Sequence, residues 1–308
     1  MTSQLVGHLL AETIEPGSPA WWSKMSASKV GAVLGLSRWD SPFSTWHKMA
    51  GNVPPEPQND EQARGHYLEP AIRAWFADQH PDWDVRTTGT WQHNQRDWQI
   101  ASPDGEVWIP SDVATSKRLR LLECKTDAEP DPEWGVEGTG QIPSGYRAQV
   151  MWTMDTIGAT TTHVVVLSAY LTFREYVVHY DANEAAAIRA RVAAFMDTLP
   201  TGKNPQLPDL DNHAATYQAV RALNPNIIDE EIDLSEHTAL RYLNAIDAEA
   251  AAIAEKIGAT AQLAQEMGDS RYGRFQKVNI ARRQQKRGGT PYITQTGKRP
   301  DLQEEAAA

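Results

Sequence analysis

A short, mostly apolar run at positions 119–125 constrains the fold of this chain more than any other segment. Successive side chains of a strand point to opposite faces, so Leu122 and Cys124 would face a core. Glu123 and Lys125 would then share the opposite face. An acid two residues before a lysine is a weak motif alone, but it occurs at no other lysine of the sequence. The run predicts a buried strand that carries a carboxylate and an ammonium side by side.

A second carboxylate comes one predicted hairpin earlier, in Pro103-Asp104-Gly105, a segment that alone would be typical of a tight turn. Adjacent strands lie about 5 Å apart, so Asp104 and Glu123 can share one ion. Glu69, in a predicted helix, can complete the coordination shell of this ion. The main-chain carbonyl of Cys124 is a further candidate ligand, because Mg²⁺ accepts backbone oxygen readily. These ligands predict Mg²⁺, with Mn²⁺ as an alternative.

Such a site has the parts needed to hydrolyse a phosphodiester. Two magnesium ions about 4 Å apart can neutralise the phosphoryl oxygens, activate a water and stabilise the leaving group. Lys125 would position the attacking water and compensate charge. Its ammonium is too basic at its ordinary pKa to be a good general base, so deprotonation of the water falls mainly to the metal.

Composition excludes other kinds of site. A single cysteine permits no internal disulfide and no Cys-rich zinc or iron–sulfur site. No stretch approaches the roughly 18 apolar residues that span a bilayer, and the N-terminus does not resemble a signal peptide, so we expect a cytoplasmic protein. The net charge of −11 argues against coating DNA by bulk electrostatics, but it allows a local basic channel.

Periodicity predicts the order of helices and strands. Helical spacing of apolar residues is found at 26–35, 42–50, 59–79, 144–157 and 183–199. Strand-like segments are found at 83–91, 98–102, 107–109, 119–125, 163–169 and 173–180. This order predicts an α/β fold, a mixed sheet flanked by helices, with a mainly helical C-terminal extension.

A segment with one glycine and two prolines, 201–208, marks the expected domain boundary, giving a first domain of 1–205 and an accessory region of 206–308. We expect helices at 208–223 and 234–267, followed by a short hairpin. Nine Lys and Arg residues and no acid lie between positions 270 and 300. This basic end is either a solvated terminus or a contact for phosphates, and the region is expected to assemble subunits or guide DNA.

Five motifs, in fixed order, carry a resemblance to a known family. They are the segments 26–28, 65–70, 102–105, 123–125 and 145–150. With them the chain resembles the YqaJ-type viral recombinase family, alkaline exonucleases similar to phage lambda exonuclease within the PD-(D/E)XK nuclease fold. The loop residues between the lysine and the last motif, Trp134, Gly135, Ile142 and Pro143, match as well.

The resemblance implies a Mg²⁺-dependent exonuclease of phage type. Such an enzyme degrades one strand of linear double-stranded DNA from its 5′ end and leaves a 3′ single strand. A single-strand annealing protein then uses this strand for homologous recombination in the bacterial host. The resemblance also implies a ring-shaped homo-oligomer around DNA.

The family's functional residues can be placed by position. Asp104 and Glu123 match the metal ligands, and Lys125 matches the catalytic lysine. The remaining matches are Glu69 for a helix-borne acid, Gln149 for a glutamine close to the scissile phosphate and Tyr146 for an aromatic of the same helix.

One expected residue is missing. Family members commonly carry an arginine before the Ser-Ala-Ser segment, where it would bind a terminal 5′-phosphate, but here only Lys24 occupies that stretch. Lysine binds phosphate as a point charge, without the bidentate fork of arginine. Ser28 and Arg38 are the other candidate DNA contacts, and the need for a 5′-phosphate stays open.

Two other functions fit the same residues. An endonuclease or structure-specific nuclease would use the same chemistry with different access to DNA. A non-catalytic DNA-binding recombination scaffold could keep the fold, but it has no need of clustered carboxylates that repel DNA.

Overall fold

A computed structural model describes residues 5–54, 59–109, 119–128, 131–297 and 300. Within these residues the helices are α1 (Pro19–Trp22), α2 (Ala27–Val33), α3 (Pro42–Met49), α4 (Asp60–Gln79), α5 (Ser144–Ile157), α6 (Ala182–Thr198), α7 (Ala214–Leu223) and α8 (Glu236–Met267). The strands are β1 (Gly7–Leu9), β2 (Met25–Ser26), β3 (Asp84–Arg86), β4 (Trp91–His93), β5 (Gln99–Ala101), β6 (Gly105–Trp108), β7 (Leu119–Asp127), β8 (Thr161–Ser168), β9 (Phe173–His179), β10 (Tyr272–Phe275), β11 (Val278–Gln284) and β12 (Tyr292–Gln295).

The central sheet has the strand order β3-β6-β7-β8-β9. β7 pairs antiparallel with β6 and parallel with β8, and α5 lies in the connection between the two parallel strands. A parallel pair requires such a crossover, whereas an antiparallel pair can be joined by a short turn. The sheet is therefore mixed, with β7 at its centre.

Helices cover both faces of this sheet. Leu121 and Val164 belong to a core that also includes residues of α2, α5 and α6. Leu122 and Val165 face the other way and pack with Phe76 of α4. The predicted α/β fold, a mixed sheet flanked by helices, is confirmed.

Local signals explain the helix ends. The Asn59 side chain accepts from the Gln62 N–H, and the Gln62 side chain accepts from the Asn59 N–H, so a capping box begins α4. Gly158 ends α5 in the left-handed conformation with φ of 94°, which glycine adopts without strain.

The strand predicted at 83–91 is wrong as a single element. The structure divides it into β3 of the central sheet and β4 of a second sheet, whose order is β1-β4-β5-β2. Residues 87–90 between the two strands form no strand, and at Gly89 an added Cβ would lie 3.0 Å from Thr13 Oγ1. The Leu10 N–H donates to the Thr90 carbonyl at 2.9 Å.

The chain divides into two compact units, Met1–Asn226 and Ile227–Ala308, so the boundary lies later than the predicted position 205. The difference comes from α7, which packs against α3. Ser41 and Thr216 share a hydrogen bond of 2.6 Å between their hydroxyls, and Phe43 packs with Ala219 in a small apolar cluster.

The smaller unit consists of α8 and an antiparallel sheet of order β10-β11-β12. The predicted hairpin is present as β10 and β11, and β12 adds a third strand that the sequence did not indicate. Met267 of α8 packs under Gly273, where an added Cβ would lie 3.0 Å from its sulfur. No helix of the described residues is both long and apolar enough to cross a membrane.

Candidate active site

The hairpin of β6 and β7 brings Asp104 next to Glu123. Gly105 pairs with Leu122, so one step further along the register Asp104 faces Glu123. The Cys124 main-chain N–H donates to Asp104 Oδ2 at 2.6 Å, which holds this carboxylate against β7. The structure thus brings together the two acids that the sequence singled out.

The Cys124 carbonyl lies at the same edge of β7. In a strand, the N–H and C=O of one residue point to the same neighbour. Because the Cys124 N–H reaches the Asp104 carboxylate, its carbonyl also faces the edge beyond the start of β6. Two carboxylates and one main-chain oxygen therefore share a small region. The Cys124 side chain packs against the core around α4, as predicted.

Lys125 and Gln149 enclose Glu123 from the side of α5. Lys125 Nζ donates to Glu123 Oε1 at 2.6 Å and to Gln149 Oε1 at 3.2 Å. Gln149 Nε2 donates to the same Glu123 oxygen at 2.5 Å. The Tyr146 ring, one turn earlier on α5, has its centroid 4.9 Å from Lys125 Nζ. Lys125 and Gln149 therefore both contact one buried carboxylate, and Tyr146 lies beside Lys125.

Arg73 joins α4 to the hairpin. One of its guanidinium nitrogens, Nη1, donates to Glu69 Oε1 at 3.0 Å and to the main-chain oxygen of Asp104 at 2.9 Å. Arg73 thus orients the Glu69 carboxylate on α4 and also fixes the Asp104 peptide.

The electrostatics of the cluster follow from burial. Desolvation, and then the neighbouring Glu123 carboxylate, hold the pKa of Asp104 well above its usual range. Burial alone would lower the pKa of Lys125, but Glu123 and Asp104 outweigh it, so this pKa is raised and the ammonium keeps its proton. Burial and the nearby carboxylates also raise the pKa of the Cys124 thiol, which is therefore not a nucleophile.

The cluster suits a hard divalent cation. Among the described residues, no group of three His, Cys, Asp or Glu side chains is arranged to hold a metal, and the Glu69 carboxylate pairs with Arg73. Mg²⁺ is commonly bound through one or two carboxylates while it keeps several waters. Asp104, Glu123 and the Cys124 carbonyl form such a set, and a cation there would relieve the repulsion that raises the pKa of Asp104.

The other candidate DNA contacts lie apart from this cluster. Ser28, in the first turn of α2, is exposed and shares a hydrogen bond of 3.0 Å with the Ser26 hydroxyl. Lys24 Nζ donates to the Asp97 carbonyl at 2.7 Å. Arg38 is exposed, with its guanidinium 5.2 Å from the Trp39 ring centroid. Their contact with DNA stays a prediction.

Sequence analysis missed two cations. Arg73 follows Glu69 by four residues on one helix, a spacing that predicts a contact. Lys29 gave no comparable signal: it is 5% exposed, its Nζ donates to the Trp21 carbonyl at 2.6 Å, and burial lowers its pKa to about 6. The same Nζ also lies 3.6 Å from the centroid of the Trp21 ring.

Part of this sequence is similar to that of a known protein. The uncharacterized protein YqaJ of Bacillus subtilis (strain 168) is 26% identical over 164 residues, which are 51% of this chain and 48% of that protein. The match thus spans about half the length of the relative.

Three solved structures resemble the fold. LHK-Exo in complex with dAMP has a TM-score of 0.45 and 22% identity, covering 59% of this chain and 91% of its own. The alkaline exonuclease LHK-Exo from Laribacter hongkongensis has a TM-score of 0.42 and 20% identity, covering 58% and 91%. A phage related exonuclease from Haemophilus somnus 129PT has a TM-score of 0.41 and 12% identity, covering 56% and 92%.

Residues 20–163, from α1 into β8, match the sequence model of one domain family. This range includes Asp104, Glu123, Lys125 and Gln149. That family is the YqaJ-like viral recombinase domain family, whose model this part of the chain matches.

Proposed function

We propose that the protein is a divalent-cation-dependent exonuclease that degrades linear double-stranded DNA from its 5′ ends and leaves 3′ single strands. The match of residues 20–163 to the YqaJ-like viral recombinase domain family supports a nuclease role. The observation that carries the proposal is the pair of carboxylates, Asp104 and Glu123, held on adjacent strands beside Lys125 and Gln149.

Asp104, Glu123 and the Cys124 carbonyl would hold the cation, Mg²⁺ or alternatively Mn²⁺. When bound, this ion supplies Lewis-acid polarisation of the phosphate and lowers the pKa of a coordinated water. The Asp104 carboxylate is anchored by the Cys124 N–H, so little reorganisation is needed to receive a ligand. Glu69, oriented by Arg73, adds negative charge near Asp104 and is proposed to complete the shell.

Lys125 acts as a cation and a hydrogen-bond donor. Its raised pKa keeps the proton on Nζ, so it cannot remove a proton from water. The ammonium can orient a water or a phosphoryl oxygen and stabilise the charge that develops on it. Gln149 donates to Glu123 and accepts from Lys125, and its amide thus fixes both side chains while facing the same region.

The test is degradation of linear and closed circular duplex DNA with Mg²⁺, with each strand end labelled separately. The proposal expects loss of label from the 5′ ends of linear DNA only, and no loss with Lys125→Ala. Cleavage of the circle would instead support an endonuclease. If neither DNA is cleaved while both proteins bind DNA, the scaffold function replaces the exonuclease.

We further propose that the enzyme works as a homo-oligomer and supplies its 3′ strands to a single-strand annealing protein. Exposed apolar side chains along α8 support self-association, since large exposed apolar patches mark interaction sites. They include Leu243, Ile246, Ile253 and Ile257, which are 44% to 65% exposed. Light scattering after gel filtration would show whether the protein exceeds its monomer mass of 34.2 kDa.

A further inference from the structure

The sheet of the smaller unit concentrates positive charge in an acidic protein. Positions 270–297 contain seven Lys and Arg residues and no acid, although the whole chain has a net charge of −11. Six of the seven are exposed, namely Arg271, Arg274, Lys277, Arg282, Lys286 and Arg287. Within the described part of the chain, none of these six forms an ion pair. This charge is therefore available to a partner.

The inner face of the sheet is occupied by α8. Gly273 packs on Met267, and its strand partner Ala281 is 2% exposed. Arg283 also points inward, because its guanidinium donates to the Ala264 carbonyl at 3.1 Å. The role of Arg283 is thus to join the sheet to the helix.

The opposite face, which we call the outer sheet face, is formed by residues that alternate with these. Tyr272, Arg282 and Thr294 pair across the three strands, and Gln284 pairs with Tyr292. Tyr272 and Tyr292 are 45% and 39% exposed. The face therefore presents a guanidinium between an aromatic ring and a hydroxyl, with further cations in the adjoining strands and turns.

We propose that the outer sheet face is a second DNA-binding surface, which contacts the phosphates of a duplex without reading its bases. Duplex DNA carries one negative charge per about 1.7 Å of helix axis, so Arg282 on this face and the exposed cations of the adjoining turn between β11 and β12 can contact phosphates together. Hydroxyl, amide and tyrosine side chains also donate to phosphate oxygens. The identification of DNA as the nucleic acid rests on the proposed function, whereas the surface itself rests on the charge and the strand register.

This surface would keep substrate DNA bound to a unit that lies outside the matched family domain. Linking two binding sites in one chain raises overall affinity without any new contact at either site.

The test variant replaces three exposed basic residues, one on the outer sheet face and two in the adjoining turn between β11 and β12, by glutamine, in a Lys125→Ala background in which we expect no cleavage. These substitutions are Arg282→Gln, Lys286→Gln and Arg287→Gln. The matched control removes the same charge from exposed positions of the larger unit. Its substitutions are Arg191→Gln, Lys203→Gln and Arg221→Gln.

The measurement is fluorescence anisotropy of a labelled 40-base-pair duplex over a range of salt concentrations. Each lost phosphate contact reduces the slope of log affinity against log salt by about 1, so the sheet variant should lose a slope of about 3. The control should lose less than about 1. Circular dichroism of each variant checks that the fold is unchanged.

Equal slopes for the two variants would overturn the proposal. It would also fail if the sheet variant binds DNA normally but loses self-association, because an acidic surface of a second copy would then be the partner. The assay needs no cleavage, so the DNA-binding surface and the proposed nuclease function can fail separately.

Discussion

Replacement of Lys125 by methionine should destabilise the metal-free protein. The Lys125 ammonium lies 2.6 Å from Glu123 Oε1, and the two side chains are only 15% and 5% exposed. Removing one partner of a buried ion pair typically costs about 3–5 kcal/mol, because the other charge stays buried and unpaired. Asp104 lies beside this charge, so we expect a loss of free energy of unfolding in that range.

A second substitution separates charge from packing. The double variant Lys125→Met/Glu123→Gln leaves no unpaired charge at these two positions, so it should recover most of the lost stability while staying inactive. Lowering the pH should also stabilise the single variant Lys125→Met. A carboxyl whose pKa is raised by folding binds its proton more tightly in the folded state, so its stability contribution improves as the pH falls through that raised pKa.

The assay is urea unfolding followed by tryptophan fluorescence, with EDTA and then with Mg²⁺. All eleven tryptophans lie between positions 21 and 152, so the signal reports the larger unit alone. A ligand at 100 times its Kd adds about 2.7 kcal/mol to stability, and Mg²⁺ should therefore rescue part of the loss. Equal stability of Lys125→Met and the parent in EDTA, or no recovery in the double variant, would refute the reasoning.

Three further outcomes are expected. Arg73→Gln should weaken Mg²⁺ binding measured by calorimetry about tenfold, because it frees Glu69 and the Asp104 peptide, while Arg73→Lys should restore part of it. Gln149→Ala should lower the cleavage rate more than duplex affinity in single-turnover assays, since its amide fixes Glu123 and Lys125; equal losses would contradict this. Lys29→Met should remove a pH dependence of stability. Burial lowers the pKa of Lys29 to about 6, so above pH 6 the folded protein has released the Lys29 proton that the unfolded chain still binds. The free energy of unfolding of the parent should therefore rise by about 1.4 kcal/mol per pH unit towards pH 10, and that of the variant should not, as urea titrations can show.

Local patterns in the sequence were sufficient for most individual elements. The helix predicted at 144–157 is α5, and the strand predicted at 119–125 lies within β7. Side-chain alternation and helical spacing are properties of neighbouring residues, so a single segment contains the information. The acid and the lysine of β7 were identified in the same way, from one strand. Gln149 and Tyr146 entered only through the family resemblance.

Tertiary structure decided which sheet or unit some of the predicted segments belong to. The segment 83–91 reads as one strand, but its two ends pair with different strands and so belong to two sheets. Likewise α7 belongs to the larger unit because it packs against α3, which is 175 residues away at the contact of Ser41 with Thr216. Such contacts depend on residues that are distant in the chain, and no local period indicates them.

The sequence by itself determined which residues carry charge, which segments form helices and strands, and that Glu123 and Lys125 share one face of a strand. Only the tertiary structure decided that Asp104 lies opposite Glu123, because strand register sets that contact. It also decided that Arg73 binds both Glu69 and the Asp104 peptide, since α4 packs across the sheet. Burial then changed the chemistry, because the same side chains in water would show neither the raised pKa of Asp104 nor the lowered pKa of Lys29.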